Sequence, residues 1–429
     1  MERGLLFAIF AVLSLLALAN AAPSSINEEN FDQFVVTPVR YDGDQMWSVS
    51  FTDDQTRKVI KTLNEEFDVT LWANNHAAAD VLVKQSAVNK VREVLEDNNI
   101  QYSVQIEDLQ KLIELEALPS KQNTATKLDH PLTWTAYHST EDIFKFLDYL
   151  VEKYPNLCSL QTIGYSVENR PLKVLKISNG NSGNKAIWID GGIHAREWIS
   201  PASVTYIVNE LVENWESQPD HIKNVNWYVL PVHNPDGYEY TRSTNRMWRK
   251  NRSKGGNNCF GVDLNRNYGY KWGGEGTSSN PCSDIYRGSK AFSEPESAAV
   301  KNFFDNTEEK KFGAFLTFHS YGQWILHPWG YGNVLPDDHE DLARVGKEGA
   351  KKIKELDHQV YTPGNSAALL YPAAGASDDW GKSIGIKYSY TIELRDTGRY
   401  GFVLPPEYIE ATAKEALSFV FTVSGEIAN

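Results

Sequence analysis

The segment AIWIDGGIHAREW, residues 186–198, joins an apolar run to side chains that can bind a metal ion. Residues 186–190 predict a strand, apolar enough to be buried on both faces. Two glycines follow, and a tight turn there can present His194 and Glu197 on the same side. An HxxE pattern alone is weak evidence for metal, because chance matches are common. A catalytic zinc site has three protein ligands and one position for water, so a third ligand is required.

His319 and Glu393 are the candidates to complete this site. Each ends a run of apolar residues, as the strand before His194 does. In open α/β sheets, ligands bind beyond the carboxyl ends of the strands, so residues far apart in sequence can meet there. Taken singly, His319 could be a hydrogen-bonded core histidine, and Glu393 could pair with Arg395 or Arg399. Their common placement favours a single site.

The apolar pattern after about residue 128 predicts an α/β domain. The strand-like runs are residues 185–190, 226–232, 312–318 and 387–392. Such continuous apolar runs suit strands that helices cover on both faces. A helix is predicted from Ser139 to Tyr154, because Ser139 and Asp142 have the spacing of a capping box and apolar residues recur on one helical face.

Residues 1–21 have the pattern of a secretory signal peptide. Arg3 precedes an apolar run over residues 5–18, and Ala19-Asn20-Ala21 is a small-x-small cleavage site. The alternative is a membrane anchor, but the run is shorter than the ~20 residues that span a bilayer. We therefore expect a secreted, extracellular protein with no membrane partner.

Two segments separate this signal from the α/β domain. Residues 22–118 predict a small α+β unit. Its predicted strands lie at 34–36, 69–72 and 100–104, and its predicted helix at 87–95. Residues 119–127 are polar and lack periodicity, which is typical of an exposed connector where Lys121 and Lys127 are accessible to a trypsin-like protease. An ordinary interdomain linker is an equally good interpretation.

The composition argues against nucleic acid as a partner. The chain has 42 Lys and Arg against 56 Asp and Glu, a formal net charge of −14. A surface with this balance repels nucleic acid phosphates and anionic membranes.

Three cysteines are expected to enter an oxidising compartment. Cys259 and Cys282 lie in a region rich in Gly, Asn and Ser, where a disulfide would stabilise the fold by about 3 kcal/mol. Cys158 lies in an apolar stretch and is expected to be buried. A catalytic cysteine is the alternative, but the sequence lacks the accompanying His/Asn signature.

A cationic cluster lies in residues 247–252 and 263–266, MWRKNR and DLNR. A guanidinium can bind a carboxylate through two parallel hydrogen bonds, and Asn adds a neutral donor. An enzyme that recognises a free C-terminus needs such contacts, and a solvated loop is the alternative. The sequon Asn251-Arg252-Ser253 lies inside the cluster, where a glycan would crowd it, so we expect Asn251 to be unmodified.

Together these motifs resemble the zinc metallocarboxypeptidase family, in its secreted carboxypeptidase A/B branch, over essentially the whole chain. The motifs are residues 194–197, 247–252, 263–266, 319–321 and 393–400. The resemblance implies a mixed central sheet with helices on both faces for residues 128–429. It also implies that residues 22–118 are a ferredoxin-like inhibitory propeptide and residues 119–127 an activation linker.

The resemblance further implies one Zn²⁺ per chain. The implied ligands are His194, Glu197 and His319, the His₂Glu set of carboxypeptidase A. Glu393 would be the general base, Arg252 would stabilise the oxyanion, and Asp263 would orient a zinc-bound histidine. The residues implied to surround the substrate are Arg196, Asn265, Arg266, Tyr321, Tyr371 and Asp378.

Asp378 decides the implied substrate. Aligned from Tyr371 to Trp380, it occupies the position at which A-type enzymes carry an apolar residue and B-type enzymes an acid. A buried carboxylate there favours C-terminal Lys or Arg, because an apolar side chain would face an unpaired charge. The alternative is that Asp378 or Asp379 caps a helix. Ala376 stands where relatives usually carry a second Gly, which leaves the choice between Lys and Arg open.

The sequence therefore predicts a secreted, monomeric zymogen. Once cut by a trypsin-like protease, it would hydrolyse the C-terminal bond of peptides or proteins that end in Lys or Arg. One alternative is an A-type enzyme for apolar C-termini. Another is a non-catalytic peptide-binding homologue. Such a protein should lack a metal ligand or the general base, whereas this chain has the three implied ligands and Glu393.

Overall fold

The computed structural model describes residues 37–51, 54–67, 69–75, 77–118, 130, 132–256, 258–309 and 311–428. The predicted signal peptide at 1–21, the predicted strand at 34–36 and the predicted activation linker at 119–127 lie outside these residues. From Pro38 onward the described residues form one compact unit, which includes both the early α+β segment and the α/β domain. None of the described helices is both long and apolar enough to cross a bilayer.

Strands and helices alternate along most of the described chain. The strands are β1 Gln45–Ser50, β2 Val69–Asn74, β3 Ala78–Val83, β4 Tyr102–Ile106, β5 Cys158–Tyr165, β6 Pro171–Ile177, β7 Lys185–Gly191, β8 Val225–Leu230, β9 Phe312–Ser320, β10 Trp324–His327, β11 Thr362–Asn365 and β12 Tyr388–Leu394. The helices are α1 Asp54–Glu66, α2 Val88–Asp97, α3 Leu109–Glu116, α4 Thr140–Lys153, α5 Ile199–Glu213, α6 Asp220–Lys223, α7 Pro235–Ser243, α8 Pro295–Asn306, α9 His339–Asp357, α10 Ser366–Leu369, α11 Ser377–Ser383 and α12 Ile409–Ala428.

The early segment is an antiparallel sheet in the order β2-β3-β1-β4 with α1 and α2 packed against it. Strand residues Val49 and Val81 share one buried cluster with helix residues Leu63 and Leu95. The element order β-α-β-β-α-β is that of the ferredoxin-like unit. The predicted α+β unit is therefore confirmed, although its last strand begins at Tyr102, two residues later than predicted.

The α/β domain is built on an eight-stranded sheet in the order β11-β10-β12-β9-β7-β8-β6-β5. The four central strands, β12, β9, β7 and β8, are parallel, and antiparallel pairs flank them on both sides. These four strands correspond to the four predicted apolar runs. The predicted mixed sheet is confirmed.

Consecutive side chains of the central strands enter different cores, because a strand alternates its side chains between two faces. In β7, Ile187 and Ile189 belong to the core that contains residues of α4, α5 and α12. Trp188 belongs to the opposite core and lies against Phe303 of α8, with ring centroids 5.3 Å apart. Helices on both faces thus require apolar residues at successive strand positions.

Three local predictions are also confirmed. Ser139 and Asp142 form the predicted capping box at the start of α4. Cys259 and Cys282 form a disulfide, and Cys158 is a buried free thiol.

Parallel register brings the predicted site residues to one edge of the sheet. Glu393 of β12 pairs with His319 of β9, and Gly191, the last residue of β7, pairs with Phe318 of β9. The loop after β7 carries His194 and therefore starts beside the ends of the other two strands.

Candidate metal centre and active site

Three potential metal ligands converge at this edge of the sheet. The Nδ1 atom of His194 lies 2.7 Å from Glu197 Oε1 and 3.1 Å from His319 Nδ1. His319 Nδ1 also lies 3.1 Å from Glu197 Oε2. All three side chains are buried, and their ligand atoms fall within 4.8 Å of one another. Two imidazole nitrogens and one carboxylate oxygen beside a cavity form a donor set that suits catalytic zinc.

Two glycines allow the loop that carries His194 to pack closely on its neighbours. A Cβ atom on Gly191 would lie 2.9 Å from Ser200 Oγ, and Gly192 has a φ of +67°, which other residues rarely adopt. The Ala195 amide then donates to the Arg249 carbonyl at 2.9 Å. The turn predicted from the glycines therefore holds the HxxE pair in place.

Burial and charge act against each other at this centre. Burial alone would raise the pKa of Glu197, but the imidazoles of His194 and His319 hold that pKa below its usual range. Burial lowers the pKa of His194. Burial acts in the same direction on His319, but the Glu197 carboxylate overrides it and raises the pKa of His319 to about 8.

Asp263 connects the metal centre to the cationic cluster. Its Oδ1 atom lies 3.2 Å from His194 Nε2, which is the predicted contact with a histidine of the site. Its Oδ2 atom accepts two hydrogen bonds from the Arg249 guanidinium, at 2.9 and 3.1 Å. Burial would raise the pKa of Asp263, but Arg249 and His194 hold it well below the usual range. Asp263 is therefore an anion that orients both groups.

Glu393 lies beside the three ligands and faces the same cavity. Burial raises the pKa of Glu393 to about 8, although the nearby His319 acts to lower it. Arg395 instead pairs with Glu415 and Asp357. The described residues thus do not contain the alternative ion pair between Glu393 and Arg395.

Arg252 does not lie at the site, and its predicted placement there is wrong. Its guanidinium carbon lies 3.6 Å from the centroid of the Tyr240 ring and 4.7 Å from that of Trp248. Arg249, three residues earlier, lines the cavity, and its Nη1 atom lies 3.9 Å from Glu197 Oε1. Aromatic stacking holds Arg252 away, whereas the ion pair with Asp263 holds Arg249 in place.

Arg196 is also set apart from the cavity that the other predicted substrate residues line. It is buried, with its guanidinium 4.2 Å from the Phe402 ring centroid and 3.5 Å from an Asp284 oxygen. The predicted residues that do line the cavity are Asn265, Arg266, Tyr321, Tyr371 and Asp378. Although Arg196 is only two residues after His194, its contacts with Phe402 and Asp284 hold its guanidinium away from this cavity.

Arg266 and Asn265 are held rigidly at the cavity. Arg266 donates from Nε to the Gly276 carbonyl at 2.9 Å and from Nη1 to the Asn265 carbonyl at 2.8 Å. The Asn265 side-chain oxygen accepts from the Ser377 amide at 2.8 Å. These contacts fix a guanidinium and an amide beside the space that a substrate carboxylate would enter.

Asp378 and Asp379 share the first turn of α11 but have different surroundings. Asp379 accepts from the amides of Gly330 and Tyr331 at 2.8 and 2.9 Å, which lie outside α11, so it has a structural role but not the helix-capping role that was the alternative. Asp378 is 2% exposed and lines the cavity, and its Oδ2 atom has no hydrogen-bond partner among the described residues. Burial raises the pKa of Asp378.

The early segment contributes to the same cavity, which sequence reasoning missed. Trp72, Ala73 and Asn74 of β2 line it together with the metal centre. The Trp72 ring lies 5.1 Å from that of Phe402, and the Tyr321 hydroxyl donates to Asp80 of β3 at 2.8 Å. The apolar run at 69–72 indicated a strand, but nothing local indicated which surface its end would cover.

Cavity size alone would not have identified this site. The cavity at the metal centre holds about 90 Å³, whereas an open cleft of about 830 Å³ lies beside β5, β6 and β8. That cleft contains none of the predicted site residues.

Comparisons with known proteins agree with this geometry. Residues 143–419 match the zinc carboxypeptidase family, and residues 47–116 match the carboxypeptidase activation peptide. Carboxypeptidase B of Astacus astacus is 46% identical over 298 residues, which is 68% of this chain and 97% of that protein. Carboxypeptidase A2 of Mus musculus is 39% identical over 383 residues, which is 87% of this chain and 91% of that protein.

Two solved structures are similar over most of the chain. Thrombin activatable fibrinolysis inhibitor has a TM-score of 0.83 and 35% identity, and the match covers 90% of this chain and 99% of that one. Carboxypeptidase A of Helicoverpa armigera has a TM-score of 0.81 and 31% identity, with 90% and 98% covered. The similar proteins thus include both A-type and B-type enzymes.

Proposed function

Because this chain belongs to the zinc carboxypeptidase family and carries its activation peptide, we propose that it is the secreted zymogen of a B-type enzyme, which removes Lys or Arg from the C-terminus of peptides. Membership of the family implies zinc-dependent hydrolysis of a peptide bond and synthesis as a zymogen. The preference for basic residues rests on one observation, the buried Asp378 in the cavity, whose Oδ2 atom has no hydrogen-bond partner among the described residues.

Zinc held by His194, Glu197 and His319 would supply an acidified water and a Lewis acid for the scissile carbonyl. Glu393 would accept a proton from the attacking water and pass it to the leaving amine. Arg249, rather than Arg252, donates to the carbonyl oxygen as negative charge develops there, because it lies beside Glu197 at the cavity.

Three further residues would recognise the free C-terminus. Arg266 and Asn265 are fixed by hydrogen bonds at the cavity wall, and Tyr371 lines the same space. A guanidinium with an adjacent amide suits a carboxylate, because the guanidinium can donate two parallel hydrogen bonds and the amide adds a neutral donor. An internal segment of a polypeptide has no carboxylate to offer, so this arrangement favours cleavage at the terminus.

Asp378 is the evidence that the cavity accepts a cationic side chain of the substrate. Its carboxylate is buried without a donor for Oδ2, so an ammonium or guanidinium would pair with it. An apolar side chain would leave the charge desolvated and unpaired. An A-type enzyme is the second candidate, favoured by the A-type relatives rather than by any feature of the cavity.

The early segment supports an inhibitory propeptide. Trp72 and Asn74 line the same cavity as the metal ligands, so they would obstruct a substrate chain that enters it. Cleavage by a trypsin-like protease at Lys121 or Lys127 would separate this segment from the catalytic domain. We further propose that residues 1–21 direct secretion and that the protein is a monomer.

The test compares intact and trypsin-treated protein on matched peptides that end in Arg, Lys or Phe, with and without a zinc chelator. We expect activity only after cleavage, only without chelator, and at least about tenfold higher kcat/KM for Arg or Lys than for Phe. Full activity of the uncut chain would exclude the inhibitory role. A preference for Phe would establish the A-type alternative. If no peptide is hydrolysed under any condition, the result would favour the non-catalytic peptide-binding homologue.

A further inference from the structure

Thr317 and Asp190 form a buried chain of contacts behind His319. The Thr317 hydroxyl lies 3.3 Å from His319 Nε2 and donates to Asp190 Oδ1 at 2.7 Å. Asp190 Oδ2 accepts from Trp188 Nε1 at 2.6 Å. Asp190 and Thr317 are completely buried, and His319 is 1% exposed. A buried carboxylate is thus linked through one hydroxyl to the side of His319 that faces away from the metal centre.

The sheet itself creates this arrangement. Thr317 and His319 are two residues apart in β9, so their side chains leave the same face of the strand. Asp190 of β7 is the direct register partner of Thr317, which brings the two side chains together across the parallel pair. No loop takes part, so the contact is as rigid as the central strands.

The hydrogen-bond directions determine which nitrogen of His319 carries a proton. The carboxylate of Asp190 can only accept, so the single hydroxyl proton of Thr317 points to Asp190. Thr317 can then only accept at His319 Nε2, which must carry the proton. With Nε2 protonated, the neutral ring of His319 has its lone pair on Nδ1, the atom that lies 3.1 Å from both His194 Nδ1 and Glu197 Oε2.

His194 shows the same arrangement with a different partner. Its Nδ1 atom faces the centre and its Nε2 atom lies 3.2 Å from Asp263 Oδ1. We propose that Thr317 and Asp190 are positioning residues that hold His319 in the ring orientation and tautomer required for zinc, as Asp263 does directly for His194. This inference rests on the proposed role of His319 as a ligand. Partners of this kind typically change metal affinity 10–100-fold.

The decisive experiment measures the zinc dissociation constant of the metal-free full-length chain by competition with a chromophoric chelator. Thr317→Val removes the hydroxyl and nearly keeps the volume, so zinc binding should weaken by about tenfold or more. Thr317→Ser restores a hydroxyl and should bind within about twofold of the wild type. Thr412→Val is the matched control, since Thr412 of α12 is equally buried but its hydroxyl donates to the carbonyl of Tyr408, just before that helix.

A second measurement locates the proton on His319 directly in the wild type and uses a variant only to assign the signal. Selective ¹⁵N-histidine labelling of the zinc-bound wild type should show a slowly exchanging proton on Nε2 of His319, assigned by its loss in His319→Ala. Wild-type affinity of Thr317→Val, or a proton on Nδ1 of His319, would overturn the inference. If His319→Ala itself binds zinc like the wild type, the proposed ligand set fails instead, so the two failures are distinguishable.

Discussion

Arg246 holds the Glu116 carboxylate in a buried ion pair with two hydrogen bonds. Nε donates to Oε2 at 2.6 Å and Nη2 donates to Oε1 at 2.7 Å, and both side chains are about 95% buried or more. Arg246 also donates to the carbonyls of Arg196 and Phe402. Glu116 ends α3, just before the predicted activation linker, so this pair joins the early segment to the rim of the active site.

Removing the anion of this pair should weaken inhibition by the early segment. Glu116→Ala leaves the Arg246 guanidinium buried without its partner, which costs about 3–5 kcal/mol. We expect about tenfold or higher peptidase activity of the uncut chain and faster cleavage by trypsin. Glu114→Ala is the control, because Glu114 is exposed and pairs with Arg40 at the surface. Equal latency of Glu116→Ala and the control would show that the pair does not hold the segment in place.

Glu393→Gln should separate metal binding from catalysis. The amide cannot accept the water's proton, so kcat of the activated enzyme should fall by about 10²–10⁴-fold. Zinc content after dialysis should stay at one per chain, because the three ligands are untouched. His319→Ala, in contrast, should lose zinc and activity together. Substantial turnover by Glu393→Gln would rule out its role as the base.

Substitution of the two arginines should distinguish their roles. Arg249→Gln removes the donor to the carbonyl oxygen, and kcat should fall by about 10²–10³-fold. Arg252→Gln should leave kcat within about threefold, since Arg252 stacks on Tyr240 outside the cavity. Thermal unfolding of both variants checks that they are folded. A larger loss from Arg252→Gln would return the role to that residue.

Asp378→Ile should reverse the substrate preference of the activated enzyme. Loss of the carboxylate should lower kcat/KM for peptides ending in Arg by roughly 10²-fold or more and raise it for Phe. Asp379→Asn is the matched control one residue away. It should lower stability rather than alter preference, because Asp379 accepts from two backbone amides. An unchanged ratio of Arg to Phe hydrolysis in Asp378→Ile would point to another determinant.

Glu296 should make the stability of the protein depend on pH. Burial raises the pKa of Glu296 from its ordinary 4.5 to about 7, although Asn251 donates to it. The native state therefore keeps this proton when the unfolded state has lost it. The stabilisation is present below pH 4.5 and is lost as the pH rises through about 7, with a total change of about 3 kcal/mol.

Urea unfolding at pH 5, 6, 7 and 8 tests this assignment. In Glu296→Gln the free energy of unfolding should fall less between pH 5 and 8 than in the wild type, since the substituted group does not titrate. The exposed Glu308→Gln should keep the wild-type slope. Parallel curves for wild type and Glu296→Gln would remove Glu296 as the source.

The sequence predicted the core of the fold because each central strand carries its signal locally. Parallel strands covered on both faces need apolar residues at successive positions, so β7, β8, β9 and β12 stood out within one or two residues of their observed bounds. His194, His319 and Glu393 were found for the same reason, since ligands of such sheets follow the strand ends. Cys259 and Cys282 followed from composition and their loop context.

Only the tertiary structure decided which neighbours these residues meet. Arg249 and Arg252 are equivalent as sequence, and the choice between them depends on the contact of Arg249 with Asp263, 14 residues further along the chain, and on the aromatic rings around Arg252. Trp72 lines the cavity at the metal centre because of how the two sheets pack. The contact between Asp190 and Thr317 depends on strand register. The periodicity of apolar residues predicts whether a side chain is buried. Its contact partners elsewhere in the chain are determined by packing and strand register, which no local sequence pattern contains.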